Sequence, residues 1–454
     1  MKRVSFLRKA LAIVVSGVVA FNVAFLGWTG VASADVTVAK TEAGWEVFTA
    51  GRLNAFLSWA KGDNTPVAPL VNGTPAYQFK GAGGTGVADT DGIADPVVDP
   101  VTGNVVSRTQ GTVDSMRLRS GFVGNVLTVG VRRDVTPYTK FTGVFSLWSI
   151  VESPGRRKYF PNYVDMREGF LKFEGPWGSF LAGKALTLYN RGATEANFMY
   201  LHGFGLGFPG SISGSGPAAG MIGFGILAST FSGGMVYATP KLFGVQLSAG
   251  IYDPASLVGS RLERTGLVRP EFELTVDEPI GTLGKVHLYF NGTTQKLYAR
   301  QEPNSTEQTA QGIGYGGRVE VGPVHVAAGG HRGKGLGLTF ALEPSESTYD
   351  GQSRLRDSEG YYAMGQVSLK KFDVNFGYGQ TKVKPLPTDL DVNPMTMFPT
   401  YSLIYTQTGI AGALVYHHTD WIHFTLDVMH ADFKWTAGDR QQINFFNAGT
   451  TVTW

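Results

Sequence analysis

Asn444-Phe445-Phe446-Asn447-Ala448-Gly449-Thr450-Thr451-Val452-Thr453-Trp454 closes the chain. Successive side chains of a strand point to opposite faces. Counting back from Trp454, Val452, Thr450, Ala448 and Phe446 therefore share one face, and Thr453, Thr451, Gly449 and Asn447 share the other. The first set suits lipid and the second water, with an aromatic at the boundary. A membrane barrel must pair its last strand with its first, because lipid tolerates no open strand edge. An ordinary edge strand of a soluble sheet would show the same eleven residues, so the rest of the chain has to decide.

The other end points the same way. Lys2, Arg3, Arg8 and Lys9 precede an apolar run to about Trp28, and Ala32-Ser33-Ala34 is a small-x-small cleavage pattern. Residues 1–34 are thus predicted to be a cleaved secretory signal, with 35–454 as the mature barrel. That segment holds four of the 39 basic residues and none of the 36 acidic ones, leaving 35 against 36. A balanced mature chain removes the global basis for nucleic-acid binding. There is no Cys, hence no disulfide framework and no lipidated cysteine. Sixty-one Gly, 12% aromatics and no apolar run after residue 34 long enough for a spanning helix make this a β composition.

Alternating segments are predicted at residues 45–59, 114–133, 139–151, 164–175, 178–186, 229–238, 244–253, 268–277, 285–298, 311–321, 324–332, 358–369, 373–383, 405–418, 421–433 and 442–454. Sixteen strands would enclose an aqueous lumen. Short turns such as Gly175-Pro176-Trp177-Gly178, Thr239-Pro240-Lys241, Gly322-Pro323 and Lys370-Lys371-Phe372-Asp373 separate the strands of a pair, and long polar loops separate the pairs. That sorting by parity marks a transmembrane antiparallel β-barrel, with tight turns on the periplasmic side and long excursions outside; a soluble sandwich has no reason for it.

Several chemical signals dissolve on inspection. The first loop, 60–113, carries Asp89, Asp91, Asp95 and Asp99, but the spacing does not fit a helix–loop–helix calcium site, and no metal is assigned. Gly205-Leu206-Gly207-Phe208-Pro209-Gly210 spells a dinucleotide fingerprint without the strand before it or the helix after it. No His-Glu-x-x-His site or nucleophile elbow exists, so no cofactor and no enzymatic step is expected. His417, His418, His423 and His430 lie near a turn and a strand, as interfacial or lumen-facing side chains.

At mid-chain, Val236-Tyr237-Ala238-Thr239-Pro240-Lys241-Leu242-Phe243-Gly244 followed by alternating residues to Tyr252 resembles the strand–turn–strand hallmark of the general Gram-negative porins. Gly183-Lys184 is similar to the Gly-Arg or Gly-Lys that opens their constriction loop. The resemblance covers essentially 35–454. It implies a bacterial outer-membrane, homotrimeric, sixteen-stranded diffusion channel for small hydrophilic solutes, narrowed by a third loop at 186–228. It also implies an assembly signal in the last strand, where Phe446 and Val452 precede Trp454 in place of the family's usual Phe. The third loop departs from the family, with one acid, Glu195, one base, Arg191, and otherwise Gly, aromatic and aliphatic residues.

Charge at mid-membrane depth on a lipid face would cost a few kcal/mol, so bases that oppose apolar neighbours should face water. Arg52, Arg117, Arg119, Arg132 and Lys172 are lumen candidates on this ground, facing Glu195 on the third loop. A modest anion preference is the expectation. Competing readings are a structural or adhesive barrel whose lumen the third loop plugs, and, weakest, a barrel hydrolase.

Overall fold

The computed structural model describes residues 35–63, 70–71, 74–75, 78–80, 97–98, 105–106, 112–122, 124–152, 164–207, 216–254, 262–264, 267–299, 307–342, 348–350, 354–389 and 401–454. The signal segment 1–34 and the Asp-rich stretch of the first loop lie outside the described residues.

Sixteen staves pair antiparallel in chain order. They are β1 (Glu46–Asp63), β2 (Thr112–Arg119 and Asn125–Thr136), β3 (Thr139–Ser149), β4 (Val164–Gly175), β5 (Gly178–Leu186), β6 (Phe231–Ala238), β7 (Val245–Tyr252) and β8 (Arg269–Ile280). The second half comprises β9 (Gly284–Ala299), β10 (Gln308–Val321), β11 (Val324–Lys334), β12 (Asp357–Leu369), β13 (Phe372–Val383), β14 (Tyr401–His417), β15 (Ile422–Trp435) and β16 (Arg440–Thr453). β16 closes on β1 from Arg52↔Thr453 to Gly62↔Ile443. Every stave is thereby paired on both edges, the condition a strand must meet in lipid.

Alternation sorts the side chains as the closing strand implies. Asn447, Thr451 and Thr453 are buried inside, whereas Phe446 is exposed outside. Leu53, Leu57, Phe145, Leu171, Phe376 and Leu426 continue the exposed apolar exterior around the wall. An apolar belt of this extent is consistent with a transmembrane barrel wall. Trp454 ends the seam: it exchanges backbone bonds with Gly51 at 2.8 and 3.0 Å, and its ring lies where a Cβ on residue 51 would be, 2.6 Å from the indole. Only Gly fits there.

Two departures from strict alternation matter. β1 pairs Phe56 with Arg119 and Arg52 with Val126, so four steps on β1 face seven on β2, a three-residue bulge. Asn54 holds it, accepting from Gly121 N at 2.6 Å and donating from Nδ2 to Gly124 O at 3.3 Å. Phe122, which strict alternation would put with Met116 and Leu118 on the lipid side, is instead buried inside, its ring 5.5 Å from that of Tyr200. The other departure is at the last connection on the long-loop side, residues 436–439, which is a short turn because β15 and β16 each run two residues further than the pattern suggests.

Candidate functional site

The lumen is occupied by the third loop, described at residues 187–207 and 216–230, which leaves β5 and crosses the barrel. Its first arm is fixed to an acidic wall. Tyr189 N donates to Glu271 Oε2 at 2.7 Å, Asn190 N to Asn291 Oδ1 at 3.1 Å, and the Arg191 guanidinium pairs with Glu273. Asn190 takes the left-handed conformation (φ 58°) that turns the chain into helix α1 (Arg191–Ala196), which packs on β9, β10 and β11. The strand sequence Arg269, Glu271, Glu273, Thr275 alternates with apolar residues, so all four point inward. Arg269 and Glu271 pair at 2.9 Å.

Beyond α1 the loop reaches the opposite wall. Phe122 N donates to His202 O at 2.9 Å and Gly203 N to Asp427 Oδ2 at 2.8 Å. Arg119, fully buried, donates from Nε to Gly216 O at 2.9 Å, from Nη1 to Gly205 O and from Nη2 to Leu206 O, both at 3.2 Å. One guanidinium thus joins the outgoing and returning arms of the loop. The return path is tied by Gln407 Nε2 to Gly223 O at 3.0 Å, Gly225 N to Thr381 Oγ1 at 2.9 Å, and Ala228 N to Thr339 O at 2.9 Å. A Cβ at Gly225 would sit 2.1 Å from Tyr361 O, so the chain passes β12 at backbone contact.

Apolar packing completes the attachment. Met199, Phe204, Leu206, Met221 and Phe224 are buried against Trp435, Phe445 and Phe433, with Phe224 and Phe433 rings 6.0 Å apart. Each such side chain contributes about 1.5–3 kcal/mol relative to exposure in water. The Gly-aromatic composition of the loop is therefore a packing surface. His202 belongs to it: stacked on Phe204 at 5.1 Å with neither ring nitrogen hydrogen-bonded, it is held neutral, burial lowering its pKa to about 3.

The lumen candidates read from the sequence fall into three groups. Arg52 and Arg119 point inward but are consumed by backbone carbonyls: Arg52 donates to Phe122 O at 2.7 Å and Gly124 O at 3.2 Å across the β2 bulge. Arg132 and Lys172 point inward and are paired. Arg132 meets Asp35 at 2.6 Å and also Glu46, and Lys172 meets Glu174 at 2.7 Å. Arg117, the register partner of buried Ser58, is exposed on the inner face. Glu195 lies away from this basic wall, on α1, 3.5 Å from Arg191, with its backbone oxygen accepting from Arg318 at 3.4 Å. Burial raises the Glu195 pKa, and Arg191 pulls it back. Glu271 and Glu273, on β8, are the acids that the first arm of the loop meets.

Where the loop is not attached, the wall stays open. Inward residues Ser179, Leu181 and Ala185 of β5 and Ser232 and Val236 of β6 are half-exposed, and Lys172, Leu181 and Val236 share one rung. Trp454 sits in the seam described above, with Phe446 and Val452 on the same outer face.

No protein-family model and no curated protein sequence matches the chain. Among solved structures, the outer membrane channel DcaP of Acinetobacter baumannii is similar over 92% of this chain and 100% of that one, at 12% identity and a TM-score of 0.62. An anion-selective porin from Comamonas acidovorans is similar over 90% and 100%, at 10% identity and 0.55. Salmonella typhi OmpF, solved with daunomycin, is similar over 93% and 100%, at 11% identity and 0.52. At these identities the likeness is one of fold: a sixteen-stranded antiparallel barrel shared with several outer-membrane porin structures.

Proposed function

We propose that this chain is an outer-membrane porin, a passive channel through which small hydrophilic solutes and ions diffuse between loop three and the inner faces of β4–β6. The observation that carries the reading is the asymmetry of the lumen: loop three is bonded to β7–β10, β13–β15 and the β2 bulge, and the inward residues of β5 and β6 remain half-exposed. The barrel likeness to known porins supports it. No cofactor and no chemical step belong to this reading, and anion preference is weak because most inner bases are paired. Assembly as a homotrimer in the lipid of the outer membrane, inserted by its assembly machinery through the aromatic end of β16, completes the proposal.

One observation favours a rival. Loop three reaches opposite walls, as a plug would, and a plugged barrel would serve a structural or adhesive role. Purified protein in planar bilayers separates the two: discrete conductance steps are expected, and removal of 203–225 should raise each step severalfold. Correctly folded, heat-modifiable protein that conducts only after that removal would establish the plug.

A further inference from the structure

The short-turn end of the barrel holds a pair of imidazoles. His417 closes β14 and His423 is the second residue of β15; the two are register partners across the 418–421 turn. His423 belongs to the inward series with Thr425 and Asp427 and is buried, whereas 29% of the His417 side chain is accessible. Their Nδ1 atoms face each other at 2.8 Å, with the rings nearly perpendicular at 82°. On its far side, His417 Nε2 lies 2.8 Å from Asp373 Oδ2.

The carboxylate fixes the chemistry. Asp373 can only accept, so His417 carries its proton on Nε2 and turns the Nδ1 lone pair toward His423. Two facing ring nitrogens would repel as bare lone pairs and therefore share one proton. A metal ion can take the place of that proton. With bonds of about 2.1 Å to nitrogens 2.8 Å apart, an ion sits off the N···N line and subtends about 84°, close to the cis angle of square-planar or octahedral coordination and well short of the tetrahedral angle zinc adopts, and each imidazole has to turn from the proton-sharing pose to aim its lone pair at the ion.

We propose that His417 and His423 form a bidentate site for a divalent transition-metal ion at the short-turn mouth of the lumen, with Asp373 orienting the first imidazole. Imidazole donors and this bite favour Cu²⁺ and Ni²⁺ over Zn²⁺. Among the described residues no three or more His, Cys, Asp or Glu side chains converge as a metal group. The ion is therefore held by two protein ligands, with water completing its shell, and it exchanges through the accessible His417 side.

The test needs no conductance and stands apart from the channel reading. Cu²⁺ or Ni²⁺ is titrated by calorimetry into folded, tag-free, detergent-solubilised barrel, and the Cu²⁺ form is examined by electron paramagnetic resonance. One ion per chain with a two-nitrogen hyperfine pattern is expected. His417→Gln and His423→Gln should each abolish the pattern, and Asp373→Ala should weaken binding about 10–100-fold. His418→Gln and His430→Gln, at exposed or outward positions, should change nothing. Loss of heat-modifiable folding in any variant is excluded by gel shift before titration. Absence of binding to the wild type, or binding that survives the double substitution His417→Gln with His423→Gln, would reduce the pair to a hydrogen bond.

Discussion

The inner wall of the barrel has two unlike surfaces. Between β8 and β15, the buried inward side chains of Glu271, Glu273, Thr381, Gln407 and Asp427 spend their polarity on holding loop three. From β4 to β6 the inward residues Lys172, Leu181 and Val236 keep part of their surface. The same residue type consequently plays opposite parts: Arg119 and Arg191 fasten the loop, whereas Arg117 is exposed. A positive charge on an inward strand position therefore does not identify a pore charge. What decides is whether its donors are consumed by carbonyls, by carboxylates or by water.

The largest effect is expected where one side chain fastens both arms of the loop. Replacing Arg119 with Gln removes the three donations to Gly205, Leu206 and Gly216, of which those to Gly205 and Leu206 are buried. Hydrogen bonds to a charged donor are worth about 1.5–3 kcal/mol each, so loop three should unseat locally. The chain has no Cys, which makes Ala219→Cys a clean reporter of a buried position. Thiol reagents should label it in the Arg119→Gln background and not with Arg119 present. Equal protection in both would show that apolar packing alone holds the loop.

A smaller, graded effect is expected from acid. His202 has its pKa lowered to about 3 by burial, below the ordinary imidazole value of about 6.5. Between those values the unseated loop binds a proton that the seated loop does not. Stability is therefore fully present above about pH 6.5 and falls by about 1.4 kcal/mol per unit as pH drops toward 3. Glu195 acts in the opposite sense: its raised pKa means that acid, acting through that group, favours the seated loop. Labelling at Ala219→Cys should rise from pH 7 to pH 4, read with an acid-tolerant disulfide reagent, and His202→Phe should flatten the rise. A rise unaltered in His202→Phe would move the acid sensitivity elsewhere.

The wall was legible in the sequence because its two faces meet different solvents. β4 and β5 begin and end where alternation puts them, at Val164–Gly175 and Gly178–Leu186, since both are bounded by Gly-containing turns or a clear change of pattern. The bulge at residues 120–124 was not legible: an insertion of three residues reverses parity, and Gly121 and Gly124 alone do not announce it. The apolar character of loop three could be read from Phe204, Phe208, Met221 and Phe224. Its route could not, because contacts such as Gly203 to Asp427 join residues more than two hundred positions apart. Glu271 and Glu273 carried a readable inward period, but nothing local tied them to Arg191. The His417 and His423 pair depends on the register across the 418–421 turn, which a shift of one residue would destroy.

The smallest effect tests the open wall itself. Reading Arg52, Arg117, Arg119, Arg132 and Lys172 as bare lumen charges predicts a modest anion preference, and the geometry divides that set. Arg52 and Arg119 are buried on carbonyls, Arg132 is neutralised by Asp35 and Glu46, and Lys172 by Glu174. In a salt gradient, Arg117→Gln, at the exposed position of this set, should move the reversal potential toward cations the most. Lys172→Gln should move it less, and Glu174→Gln should move it toward anions. All three shifts should fade as salt rises, since screening confines each charge to about 10 Å at 0.1 M. Arg52→Gln should leave the reversal potential in place and lower the thermal stability of the barrel, because the Phe122 and Gly124 carbonyls lose their buried donor. If Arg52→Gln shifted selectivity as far as Lys172→Gln, the permeating ion would be passing the β2 bulge, and the path along β4–β6 would be wrong.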